Sequence, residues 1–137
     1  MHPASKVADR ATVAALLLGG EDTDRPLLRS IFRRYGWDLV EATGVVDGLS
    51  CLKGRAVQVV IASAEFDWRR VLGRLLDMPR PPRLIVTSRL ADETLWAEVL
   101  NLGGFDVLAQ PFDGDEVSRV LAAAFRAEPM RARTSAG

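Results

Sequence analysis

The stretch Thr12 to Gly36, "TVAALLLGGEDTDRPLLRSIFRRYG", carries the pattern that decides the fold. Its first part, Thr12 to Leu18, is a continuous apolar run. A strand wetted on one face alternates polar and apolar residues, so an unbroken run fits a strand covered on both faces. The second part places Leu27, Leu28, Ile31 and Phe32 at helical spacing. Asp22, Thr23 and Asp24 are candidate N-caps, Pro26 is tolerated in a first turn, and Gly36 is a stop. Gly19 and Gly20 occupy the join. In an α/β fold that end of the strand is where ligands and chemistry gather, so two residues without side chains stand where side chains matter most.

The strand–helix unit recurs along the chain. "WDLVEA" (37–42) reads as a second strand. "GVVDGLSCLKG" (44–54) reads as a helix through Val45, Leu49 and Leu52, weakened by Gly48. "VQVVIA", Val57 to Ala62, is the most apolar β-branched run and predicts a central strand. A helix follows from Asp67 to Asp77, with Val71, Leu72, Leu75 and Leu76 apolar, and "MPRPP" breaks it. "RLIVTS" (83–88) is a fourth strand, and "ADETLWAEVLNLGG" (91–104) a helix with an acidic first turn and a glycine stop. "FDVLA" (105–109) is a short fifth strand, and "DGDEVSRVLAAAFRA" (113–127) a last helix. Five β-α units in strict alternation imply an α/β domain of three layers, with a parallel sheet built by right-handed crossovers. Periodicity leaves the strand order open, the flavodoxin-like 2-1-3-4-5 being one common choice. Residues 1–10 read as a flexible N-terminus, 11–127 as the domain and 128–137 as a flexible polar tail.

A chain of 137 residues fits one domain with a proper core. Lys+Arg and Asp+Glu both number 18, so no net field draws the chain to nucleic acid or an anionic membrane. The single cysteine, Cys51, excludes an internal disulfide and fits a reducing, cytoplasmic compartment. No apolar run suits a signal peptide or a membrane span. The only histidine is His2. One His and one Cys remove most zinc-site and Cys–His readings and make a Ser–His–Asp apparatus improbable. No cofactor and no metal is expected.

With its five β-α units, "GWDLVEA" (36–42), the "TS" ending the fourth strand and "GGFDVLAQPF" (103–112), the sequence from about Thr12 to Arg126 resembles a response-regulator receiver domain of two-component signalling. The last motif is similar to that family's Gly-Ala-x-x-aromatic-Leu-x-Lys-Pro-Phe signature. The resemblance implies the flavodoxin-like 2-1-3-4-5 order and a specific chemistry. An active receiver holds Mg²⁺ on two acids after its first strand. It carries a phospho-accepting Asp ending the third, a Thr or Ser ending the fourth and a Lys ending the fifth. Metal and lysine neutralise charge on the transferring phosphoryl group, and the aspartate is the nucleophile.

In this sequence the acidic pair falls on Gly19 and Gly20, with Glu21 in the third place of the usual triplet. The phospho-acceptor falls on Ser63, the lysine on Gln110 and the aromatic switch residue on Val107, while Thr87, Pro111 and Phe112 match. The expectation is a pseudo-receiver that keeps the fold, lacks aspartyl phosphorylation, is not an enzyme and acts as a docking or dimerisation module. Its partner would be a sensor kinase, a downstream signalling protein or a second copy. The resemblance also implies a cis peptide between Gln110 and Pro111.

Other readings of the same residues are weaker. A phosphate-cradling loop needs Gly-x-Gly-x-x-Gly, but the stretch continues "GGEDTD", whose acids repel an anion. Ser63 lacks a nucleophile elbow and a base, and reads as a strand-end serine bonded to backbone. A displaced acid, Glu65 or Asp67, would be needed for a phospho-accepting receiver; with Glu21 and Asp22 these acids read as caps and loop charges. A flavodoxin-like module binding a nucleotide or flavin is a third class. In the fourth helix Trp96, Val99, Leu100 and Gly103 form one stripe and Leu95, Val99 and Leu102 another. Only one stripe can face the sheet, so the surplus predicts a contact surface. In receivers this helix, the fifth strand and the fifth helix form the usual signalling and dimer face. The expected contacts are Leu95, Trp96, Leu102 and Val107 with the last helix. Arg69, Arg70 and Arg74 lie near one helix face, and a solvated face is preferred there to a patch for an acidic partner or nucleic acid.

Overall fold

Strand β1 (Ala14–Leu18) is buried along its whole length, between β2 (Asp38–Ala42) on one side and β3 (Val59–Ser63) on the other. The computed structural model describes residues 13–19 and 23–127. With β4 (Arg83–Ser88) and β5 (Asp106–Ala109) the strands form one parallel sheet in the order β2-β1-β3-β4-β5. The helices are α1 (Arg25–Tyr35), α2 (Val45–Gly54), α3 (Trp68–Leu76), α4 (Glu93–Leu102) and α5 (Gly114–Arg126). This is the flavodoxin-like arrangement. Gly20, Glu21, Asp22, the segment 1–12 with His2, and the tail 128–137 lie outside the described residues.

The period of two along each strand divides the core into two layers. Leu16, Leu18, Val60, Ala62, Leu84 and Val86 face α2, α3 and α4, and meet Leu52, Val71, Leu75 and Val99. Ala15, Leu17, Val59, Ile61 and Ile85 face α1 and α5, and meet Leu28, Ile31, Phe32, Val117 and Leu121. Trp68 opens α3 and is almost wholly buried, although it follows directly on the polar loop.

Local signals end the helices as expected. Gly36 and Gly103 close α1 and α4 in the left-handed region, and Asp67, Asp92 and Asp113 accept N–H bonds as N-caps of α3, α4 and α5. Element ends fall within a residue or two of the sequence reading, and two details differ from it. The third strand runs from Val59 to Ser63 instead of 57–62, because pairing with β1 begins at Ala15–Val59. Gln58 lies just before it and uses its side-chain oxygen to accept from the Ala14 N–H at 2.7 Å. Asp24 stands at the N-cap of α1, but its side chain makes no capping bond.

Across the first edge, Arg29 grips Glu41 with Nε and Nη2, both at 2.8 Å, and Arg25 adds a weaker contact at 3.4 Å. The Arg29 hydrogen bonds hold the Glu41 carboxyl below its ordinary pKa, against the opposing effect of partial burial. A depressed folded pKa means the pair's contribution is complete above the unfolded value of about 4.3, and is lost as pH falls through the folded value. An NMR titration is expected to show Glu41 protonating below that reference, and to return towards it in Arg29→Ala.

Candidate functional site

The C-terminal ends of β1, β3, β4 and β5 meet at one edge of the sheet. Ser63 and Thr87 are register neighbours there, and Thr87 is buried. The Ser63 hydroxyl accepts from the Glu65 N–H at 3.1 Å, the local backbone bond expected of a strand-end serine. The Thr87 carbonyl accepts from the Ala64 N–H at 2.7 Å. The Ser63 carbonyl accepts from the Phe66 N–H at 3.0 Å, which closes a tight turn.

That turn aims Phe66 at Gly19. A β-carbon at position 19 would lie 2.5 Å from Phe66 Cζ and 2.6 Å from Cε1, well inside van der Waals contact. Gly19 also has φ +73°, a conformation that disfavours any residue with a side chain. Its N–H donates to the Ala42 carbonyl at 3.1 Å, and its carbonyl accepts from Arg25 Nη2 at 2.9 Å. Where the receiver resemblance implies a metal-holding acid, the structure has a bent glycine with an aromatic ring laid on it.

Gln110 stands where the receiver resemblance implies the lysine. Its side-chain amide donates to the buried Asp24 carboxylate, which explains why Asp24 does not cap its own helix. The Gln110 N–H donates to the Ser88 carbonyl at 3.0 Å, and the Gln110–Pro111 peptide is cis, as the resemblance implies. Thr23, Asp24, Arg89, Gln110 and Pro111 line a recess of about 420 Å³ here. Of the displaced acids, Asp67 is engaged as the cap of α3 and Glu65 is exposed. Among the described residues no three His, Cys, Asp or Glu side chains cluster as a metal site would require.

Phe66 was not singled out by sequence reasoning. Its signal is an aromatic residue in the polar turn "SAEFD", three positions after the strand end and facing a glycine across the sheet edge. Distance along the chain conceals that pairing.

The predicted contact face divides. Trp96 is 50% exposed and Leu102 47%, so both stand out from α4. Leu95 and Val107 are half-buried and pack partly on the core. Val99 faces inward, so helical rotation splits both sequence stripes between core and solvent. Trp96, Val107 and Ala109 line a shallow groove of about 270 Å³ rimmed by Asp92, Glu93 and Glu116.

Among the described residues no helix is long and apolar enough to cross a membrane. No protein-family model matches the sequence, and no curated protein matches it. Solved structures do. A signal receiver domain of an HD domain-containing protein from Pseudomonas fluorescens superposes with TM-score 0.72 at 22% identity, covering 83% of this chain and 94% of that one. An orphan response regulator of H. pylori gives 0.74 at 15%, covering 83% and 97%. A chemotaxis response regulator of Vibrio cholerae gives 0.73 at 11%, covering 83% and 99%. The strand order and these superpositions together show that the chain has the fold of a response-regulator receiver domain.

Proposed function

We propose that this chain is a pseudo-receiver of a two-component system that signals in the cytoplasm by protein–protein contact, without aspartyl phosphorylation and without enzymatic turnover. The observation that carries the reading is the Phe66 ring seated on Gly19, in the space where a metal-holding side chain would stand. Ser63 at the acceptor position and Gln110 bonded to Asp24 at the lysine position support it, since neither supplies a carboxylate nucleophile or a cation. Gly20 and Glu21, assigned to the degenerate site from sequence, complete the proposal. Information passes through the α4–β5–α5 face to a sensor kinase, a downstream protein or a second copy, with Trp96 and Leu102 as the exposed contacts and Leu95 and Val107 supporting them from beneath.

Incubation with Mg²⁺ and acetyl phosphate, followed by intact-mass measurement, is expected to show no added phosphoryl group. Beryllofluoride with Mg²⁺ is expected to leave tryptophan fluorescence unchanged. A stoichiometric, alkali-labile phosphoryl adduct removed by replacing Glu65 or Asp67 with Ala would overturn the reading and establish a displaced acceptor.

A further inference from the structure

The α2–α3 seam carries a second surface that the receiver reading leaves unused. Val45, Val46, Leu49 and Met78 form the apolar part of a trough of about 390 Å³, and Val46 is 77% exposed. Lys53, Arg70 and Arg74 rim it, and no carboxylate is among its lining residues. None of these three cations forms an ion pair among the described residues. Arg69, their neighbour, turns the other way and binds Glu98 of α4 at 2.5 Å. Arg69, Arg70 and Arg74 are all exposed, as a solvated face requires, and Arg70 and Arg74 also border the apolar trough.

The α4–β5–α5 groove is its electrostatic counterpart. It presents half-exposed Trp96 within a rim of Asp92, Glu93 and Glu116, and lacks a cation among its lining residues. Neither Glu93 nor Glu116 has an ion-pair partner among the described residues. The chain is neutral overall, so the two surfaces are local excesses of opposite sign. They share no residue, so one molecule can offer both at once.

We infer that the α4–β5–α5 face of one copy docks into the α2–α3 trough of a second copy, with Trp96 over Val46 and Leu49 and Glu93 and Glu116 against Arg70, Arg74 and Lys53. The inference rests on the proposed use of the α4–β5–α5 face and names what that face meets. Such a contact is heterologous: each copy uses a different patch, and association continues head to tail until a ring closes. Apolar contact at the centre with opposite charges at the rim fixes the register and steers encounter.

Sedimentation velocity of the full chain over a concentration series is expected to show reversible association. Raising salt from about 0.1 M to about 1 M shortens the screening length from about 10 Å to about 3 Å and is expected to weaken it. Arg70→Glu with Arg74→Glu spoils only the trough, and Glu93→Lys with Glu116→Lys spoils only the acidic face. Each double variant, with unchanged circular dichroism, is expected to associate with itself at least about tenfold more weakly. Mixed together, they are expected to associate again in one-to-one proportion, because the intact acidic face meets the intact trough and the charge-reversed face meets the charge-reversed trough. An isologous α4–β5–α5 dimer instead leaves the Arg variant unaffected; that result overturns the inference while the phosphorylation-independent reading stands. A wild-type chain that stays monomeric throughout the series overturns it as well.

Discussion

Replacing Gly19 by Asp, the residue type the receiver resemblance implies there, is expected to lower the unfolding free energy by about 2–5 kcal/mol and to create no response to Mg²⁺. Two costs combine. Gly19 has φ +73°, where a side chain costs about 1–2 kcal/mol. Its new β-carbon would also meet Phe66 at 2.5 Å, and overpacking of this kind costs about 1–3 kcal/mol. The ring cannot simply withdraw, because the turn bond from its N–H to the Ser63 carbonyl and its packing on the core hold it. The companion variant is Phe66→Ala. In that background Gly19→Asp is expected to cost only the backbone part, giving a coupling equal to the overpacking part, about 1–3 kcal/mol, between the positions. Urea denaturation of the four proteins measures it. A Gly19→Asp protein as stable as the parent, or one whose melting temperature rises with Mg²⁺, contradicts both the seating of Phe66 on Gly19 and the proposal built on it.

Gly48→Ala is the second expected large effect, and its interest lies in its sign. By helix propensity alone the change should stabilise α2 by about 1 kcal/mol. A β-carbon at Gly48 would however fall 1.9 Å from Leu18 Cδ2, at the centre of the layer under α2. The expected net result is a loss of about 1–2 kcal/mol, with overpacking exceeding the propensity gain. Leu18→Ala removes the obstructing methyl groups at a cost of its own of about 2–5 kcal/mol. In that background Gly48→Ala is expected to become neutral or stabilising. Equilibrium unfolding of the single and double variants decides it, and a stabilised Gly48→Ala single variant refutes the packing account.

These two glycines mark the limit of what could be read along the chain. Both were visible as glycines, Gly19 as an absent acid and Gly48 as a weak point in a helix. Neither reading contains the partner, because both partners lie far away in sequence: Phe66 reaches Gly19 when β3 pairs with β1, and Leu18 reaches Gly48 when α2 packs on β1. Asp24 is a similar case. Its position before "RPLLRSIF" predicts a cap, but β5 brings Gln110 to it and the carboxylate bonds across the sheet edge. In α4 the apolar positions were legible, and the division of labour among Leu95, Trp96 and Leu102 was not. A wide stripe has no preferred rotation until the sheet selects one.

Alternation of apolar runs with helical periods, together with glycine and aspartate at the ends of helices, was enough to determine a parallel α/β domain with five units, since these signals are local and repeat at the right intervals. The ring seated over Gly19, the Gln110–Asp24 bond and the opposite charges of the two grooves were decided only by tertiary structure. The physical reason is that each depends on which distant segments become neighbours, and packing of one layer against another sets that choice where local propensity is silent.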